Sequence, residues 1–162
     1  MMGVGKSTAG KLVADKLSMK FIDIDKIIEK KESLSVSAIF EKKGENYFRD
    51  IEEKITIEEV KKNNSVISLG GGAFINSKIR ELVLKKCISF WLDLHPKLIE
   101  KRVKSLKKRP LLNNNNLSET LEKIYYERKE IYNLANFKID CNKIELDQIA
   151  SKIINLYDNF KD

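Results

Sequence analysis

The sequence predicts an α/β fold, a parallel sheet with helices on both faces, on three observations. Short apolar runs at 20–22, 65–69, 87–92 and 137–140 alternate with longer segments whose apolar residues recur at helical spacing. Strands that alternate with helices pair in parallel, because each crossover helix returns the chain to the same end of the sheet. A Gly-Val-Gly-Lys-Ser-Thr loop, Gly3 to Thr8, opens directly onto the first helix.

The elements follow in order. Ala9, Leu12, Val13 and Leu17 fall on one face of a helix over 6–17, and a strand at 20–22 leads to a helix over about 25–31. Ser35 is placed to cap a short helix, 36–43, that Gly44 stops. Phe48, Ile51, Ile55 and Val60 recur at helical intervals, so a long charged helix is expected over about 45–62. Asn63-Asn64 ends that pattern, and 65–69 reads as a buried strand running into Gly70-Gly71-Gly72. A helix over 77–85 precedes the strand at 87–92, and Pro96 sits where a first helical turn tolerates it, opening a helix to about 105. The stretch 107–116 is polar and aperiodic, and its four consecutive asparagines mark a mobile loop. A helix over 118–134, a strand at 137–140 and a helix over 144–157 complete a single domain, 1–162, without internal repeat.

Composition excludes several classes. A hydrophobic share of 42% with 34% charged residues is ordinary for a soluble globular protein. No apolar run approaches the ~20 residues of a membrane span, and no secretory leader pattern precedes the first helix. Cys87 and Cys141 are too few for a disulfide framework and lack metal-ligand spacing. They read as buried free thiols in a reducing cytoplasm. The net charge of +7 admits nucleic acid or small anions as partners. The densest basic cluster, Lys101 to Arg109, has no interleaved aromatic residue for base stacking, which favours small anions over nucleic acid.

The glycine loop carries the first chemistry. In the pattern G-x-x-x-x-G-K-[ST], Gly5, Lys6 and Ser7 occupy the last three fixed positions. Backbone amides of Gly3, Val4, Gly5 and Thr8 and the following helix N-terminus suit phosphate oxygens. Lys6 would reach the β- and γ-phosphates of ATP, and the Ser7 hydroxyl would hold Mg²⁺. The first glycine of the pattern would fall immediately before Met1, so neither it nor the strand that normally feeds such a loop is present. Two consequences are expected: two strands left without a neighbour, and a slot in the core. A start at an internal methionine of a protein roughly ten residues longer would account for this.

Further motifs stand in order along the chain: Asp23-Ile24-Asp25, Phe48-Arg49-Asp50-Ile51-Glu52, Gly70-Gly71-Gly72, Arg109-Pro110-Leu111-Leu112, and Arg128 four residues before Tyr132. Together with the loop they resemble the shikimate kinase family over essentially the whole chain. The resemblance implies a three-layer P-loop kinase, nucleoside monophosphate kinase-like, with a mobile lid over about 103–117 and a substrate-binding subregion over about 24–53. It implies transfer of the ATP γ-phosphate to the 3-hydroxyl of shikimate. It also implies that Arg109 closes over ATP and that Arg102 lies against the adenine.

The residue types fit that chemistry on their own terms. A carboxylate substrate calls for fixed guanidinium donors, for which Arg49 and Arg128 are candidates, with Gly71 and Gly72 offering backbone contact. A hydroxyl nucleophile needs an acceptor for its proton, a role for Asp25, and Asp23 at the strand end would hold Mg²⁺ through water. Plainer readings exist for each: Asp23-x-Asp25 as a helix cap with a surface acid, Glu52 as a helical ion pair for Arg49, the glycine triplet as a strand exit. His95 reads as structural or exposed, and Trp91 as core. The competing functions are another small-molecule kinase, such as a gluconate or nucleoside monophosphate kinase, a non-catalytic P-loop module, and a basic nucleic-acid binder. Nothing in the sequence demands more than a monomer.

Overall fold

A computed structural model describes residues 3–105 and 116–161. Helix α1 (Lys6–Lys16) begins where Gly5 turns into the left-handed region at φ 92°, a conformation that costs glycine little. Strand β1 (Lys20–Asp23) leads into α2 (Ile24–Glu32), whose first turn is capped by the Asp23 carboxylate accepting from the Lys26 N–H at 3.3 Å. Ser35 caps α3 (Val36–Val60) as expected, accepting from the Ala38 N–H at 3.2 Å. Within that span the two helices expected on either side of Gly44 meet at a kink. Gly44 forms the kink with φ 83° and ψ 168°, and a side chain there would touch nothing, so backbone conformation explains the glycine.

Strand β2 (Ser65–Ser68) is followed by the glycine triplet, a single 3-10 turn (Ala73–Ile75) and α4 (Ser77–Lys86). Strand β3 (Phe90–Asp93) starts three residues later than the apolar pattern suggested. Cys87 instead ends α4, its N–H bonded to the Val83 carbonyl at 2.8 Å. Helices α5 (Pro96–Ser105) and α6 (Leu117–Tyr132) follow, then β4 (Phe137–Asp140) and α7 (Leu146–Lys161). Cys141 is buried and Cys87 half-buried, both as free thiols; burial raises both, Cys141 to about 11. His95 is exposed, and Trp91 is buried against Tyr132.

The sheet is parallel but comes in two halves. β1 pairs with β2, Lys20 opposite Ser65 and Asp23 opposite Ser68. β3 pairs with β4, Phe90 opposite Phe137 and Asp93 opposite Asp140. Among the described residues no ladder joins β2 to β3. Residues of β2 and β3 instead line opposite parts of one cavity. Helices α1 and α7 pack on each other, and α1 lies over β1 and β2.

The apolar core is divided as well. A large cluster runs from Val4, Ala9 and Val13 through Trp91 and Tyr132 to Ile149 and Ile153. A smaller one, Ile22, Ile24, Ile28, Ile39, Phe48 and Ile55, ties α2 and α3 to the end of β1. This second core anchors the stretch 24–53 and holds Asp25, Arg49 and Glu52 on rigid helices.

Candidate active site

The carboxyl ends of β1 and β2 and the N-terminus of α1 meet in one place, where parallel sheets bind ligands. Gly3 at φ 70° and Gly5 at φ 92° shape the loop. Val4 between them is buried, and its carbonyl accepts from Arg102 Nη1 at 3.2 Å. Arg102, from α5, thus lies over the loop, with its Nη1 about a van der Waals contact from where a Gly5 side chain would begin. Lys6 and Ser7 follow in the first turn of α1, with Thr8 exposed beside them.

Ser7 Oγ donates to Asp23 Oδ2 at 2.6 Å and lies 3.4 Å from Ser68 Oγ. Three hard oxygen donors from three elements therefore gather beside the phosphate loop. Sequence reasoning paired Ser7 with Asp23 but missed Ser68. The available signal was its position as the last strand residue before the glycine triplet, opposite Asp23 in register.

The glycine triplet forms the floor of the second half of the site, and here close approach excludes side chains. A Cβ on Gly70 would collide with Glu52 Oε1 and stand 2.9 Å from Asp25 Oδ1. A Cβ on Gly72 would stand 2.6 Å from Arg49 Cζ. The triplet is therefore more than a strand exit, because Asp25, Glu52 and Arg49 all crowd onto it. Opposite them, Arg128 Nη1 donates to the Gly71 carbonyl at 3.1 Å, and the Tyr132 hydroxyl donates to the same oxygen. The four-residue spacing of Arg128 and Tyr132 puts both on one face of α6.

Arg49 is fixed from three sides. Its Nη1 donates to Glu52 Oε2 at 2.6 Å, and its Nε and Nη2 donate to Glu45 Oε1 at 3.2 and 3.0 Å. Its guanidinium also lies over the Phe40 and Phe48 rings, 5.7 and 5.3 Å from their centroids. Burial works against the Arg49 charge, but the Glu52 and Glu45 carboxylates outweigh it and raise its pKa. Glu52 is 2% exposed, so for it burial dominates and raises the pKa despite Arg49. Its second oxygen, Oε1, has no hydrogen-bond partner among the described residues. The ion-pair reading of Glu52 is therefore the one the geometry favours. Glu45 and Phe40, which share in fixing Arg49, were not singled out; Glu45 at i−4 on one helix was the readable signal.

The structure brings Gly3, Val4, Gly5, Lys6, Ser7, Thr8, Asp23 and Arg102 to one side of this crevice, and Asp25, Arg49, Gly71, Gly72 and Arg128 to the other. Arg109 and most of the expected lid lie outside the described residues.

Comparison with known proteins gives the family of the chain. The family model for shikimate kinase matches residues 2–158. A shikimate kinase from Sulfurihydrogenibium sp. (strain YO3AOP1) is 42% identical over 153 residues, 94% of this chain and 91% of the relative. The solved shikimate kinase from Acinetobacter baumannii, in complex with shikimate, superposes with a TM-score of 0.92 at 32% identity, over 99% of this chain and 90% of that one. A gluconokinase from Sinorhizobium meliloti 1021 shares the fold alone, with a TM-score of 0.55 at 16% identity. Matched by the family model over nearly its whole length and by relatives well above 30% identity, the chain belongs to the shikimate kinase family.

Proposed function

We propose a division of labour among these residues for the reaction this chain catalyses, transfer of the ATP γ-phosphate to the 3-hydroxyl of shikimate, giving shikimate 3-phosphate and ADP. The observation that supports it best is the convergence of Asp25, Arg49, Glu52 and Arg128 on Gly70 to Gly72, just beyond Asp23 and Ser68, which meet Ser7 of the phosphate loop. Shikimate presents one carboxylate and several hydroxyls, and the cluster offers two guanidinium groups for the first and, in Asp25, a carboxylate for the second, while Glu52 pairs with Arg49.

On the nucleotide side, the amides of Gly3, Val4, Gly5 and Thr8 cradle phosphate oxygens, and Lys6 pairs with the β- and γ-phosphates. Arg102, bonded to the Val4 carbonyl, offers its guanidinium plane to the adenine. Arg109, in the lid assigned to about 103–117, covers the transferring group and offsets its developing charge. Ser7 and Asp23 would hold Mg²⁺. Hard, closely spaced oxygens of this kind suit an ion that keeps most of its waters and takes phosphate oxygens as ligands. The ion would supply neutralisation of charge on the β- and γ-phosphates.

On the acceptor side, Arg49 and Arg128 hold the shikimate carboxylate, while backbone groups of Gly71 and Gly72 line the ring's resting place. Asp25 orients the reacting hydroxyl and takes its proton as the O–P bond forms. No covalent enzyme intermediate is required, because positioning and electrostatics supply the rate. The basic surface draws both anionic substrates toward the site, with neither nucleic acid nor membrane as a partner, and the protein works as a cytoplasmic monomer in one domain. Among the described residues no helix is long and apolar enough to cross a membrane.

A coupled ADP-release assay, offering shikimate, gluconate and nucleoside monophosphates in turn, tests the substrate. Turnover is expected with shikimate alone; its absence overturns the reading. The carboxylate assignment has its own test. Arg128→Ala is expected to raise KM for shikimate roughly 10- to 100-fold, the worth of a charged hydrogen bond, with a far smaller change in kcat. An unchanged KM removes Arg128 from the binding set.

A further inference from the structure

Asp93 ends β3 as a carboxylate that is only 6% exposed. A carboxylate taken out of water is costly unless both its oxygens find partners. The Tyr125 hydroxyl of α6 donates to Asp93 Oδ1 at 3.0 Å, and Lys138 Nζ of β4 pairs with Oδ2 at 2.8 Å. Burial, aided by the bond to Asp93, pushes the Tyr125 hydroxyl up to about 12, so it stays protonated and keeps donating at neutral pH.

This pair belongs to a closed ring of contacts. Trp91 and Asp93 share a face of β3, and Lys138 stands opposite Trp91 in register. The Lys138 ammonium lies 4.6 Å from the centre of the Trp91 ring. The Trp91 ring in turn lies 6.0 Å from that of Tyr132. Tyr132 and Tyr125 both stand on α6, so the ring returns along the helix to Asp93. The stretch of α6 from Tyr125 to Tyr132 is thereby fixed to the sheet at both ends.

Arg128 stands between those two anchors. At 3.6 residues per turn, positions 125, 128 and 132 fall within an arc of about 60°. Arg128 and Tyr132 donate to one and the same oxygen, the Gly71 carbonyl, and a single point of attachment leaves a helix free to roll about it. The apolar residues of α6, Leu121 and Ile124 among them, hold it in the core by contacts that have no direction. The bond from Tyr125 to Asp93 has direction. It supplies a second fixed point and sets the roll of the helix.

We propose that Tyr125 and Asp93 are positioning residues for the acceptor substrate, holding Arg128, through α6, where it meets the shikimate carboxylate. The inference rests on the assignment of Arg128 to that carboxylate. A guanidinium–carboxylate contact has narrow geometry, so a small roll of α6 weakens acceptor binding. Lys6, Ser7 and Asp23 stand on α1 and at the end of β1, so ATP binding is spared.

Tyr125→Phe keeps the ring and removes only the donor. It is expected to raise KM for shikimate roughly 3- to 10-fold, with kcat and KM for ATP within about twofold of the parent. Asp93→Asn keeps an acceptor for the Tyr125 hydroxyl, so its KM for shikimate is expected within about twofold of the parent. Combining Tyr125→Phe with Arg128→Ala completes a double-mutant cycle. Once Arg128 is gone, Tyr125→Phe should raise KM no further. A Tyr125→Phe enzyme that melts lower yet keeps the parent KM has lost only structure, and it overturns the proposal. So does an effect of Tyr125→Phe that persists at full size in the Arg128→Ala background. A raised KM in Asp93→Asn with none in Tyr125→Phe gives the effect to the Lys138 ion pair and overturns it too. The two readings fail separately. If Arg128→Ala leaves KM unchanged, the carboxylate assignment falls and takes this proposal with it; if Arg128→Ala raises KM and Tyr125→Phe does not, this proposal falls alone.

Discussion

Asp25→Asn lowers kcat by roughly 10²- to 10⁴-fold while leaving ATP affinity nearly intact, if Asp25 takes the hydroxyl proton. Asparagine keeps the shape of the side chain but cannot accept a proton. Asp25 lies in the first turn of α2 beside Gly70 and Glu52, whereas the nucleotide side rests on Lys6, Ser7 and Asp23. The two halves of the site thus separate cleanly by mutation. Single-turnover kinetics together with equilibrium titration of a fluorescent ATP analogue measure both quantities. A kcat within about tenfold of the parent would leave transition-state positioning to other groups. Lost nucleotide binding would place Asp25 in the phosphate site instead.

Arg49→Ala should damage binding and stability together, because Arg49 has two duties. It loses one of two guanidinium groups assigned to the shikimate carboxylate, so KM rises roughly 10-fold or more. It also strips Glu52, 2% exposed, of the donor held at 2.6 Å, and leaving such a carboxylate unpaired costs about 1–3 kcal/mol. The stability loss carries a pH signature. Burial already holds the Glu52 pKa above the ordinary glutamate range, and removing Arg49 raises it further. A carboxyl raised in the folded state contributes stability that is fully present below its unfolded pKa, about 4.3, and lost as pH rises through the folded value. The deficit of the variant against the parent should therefore be smallest at about pH 4 and widen toward neutrality. Thermal melts from acid to neutral pH read it directly. Adding Glu52→Gln should recover much of the stability without recovering KM, and a KM restored by that second change would show that Arg49 acts only through Glu52.

Much of this was legible because the signals were local. Ser35 and Asp23 cap helices through side-chain oxygens three residues from the amides they serve, an arrangement readable from spacing alone. Gly44 broke its helix where a residue with φ 83° was needed. The strand at Cys87 was less legible. Cys87 and Ile88 are apolar enough to extend the strand, but the Cys87 N–H completes the last turn of α4. An apolar run cannot report which ladder or helix claims its backbone.

The site divides in the same manner. The sequence alone named the phosphate loop and the candidates on both sides of the site, since Lys6, Ser7, Asp25, Arg49 and Arg128 are residue types with few substitutes for the roles proposed for them. Only the tertiary structure decided that Ser68 joins Ser7 and Asp23, and that Glu45, Glu52 and two rings hold Arg49 over Gly72. Such contacts join residues from different elements, and their distances depend on how helices settle onto strands. The opening between β2 and β3 belongs to both. A slot in the core was expected from the sequence, whereas its size and lining follow from packing that keeps the two half-sheets apart.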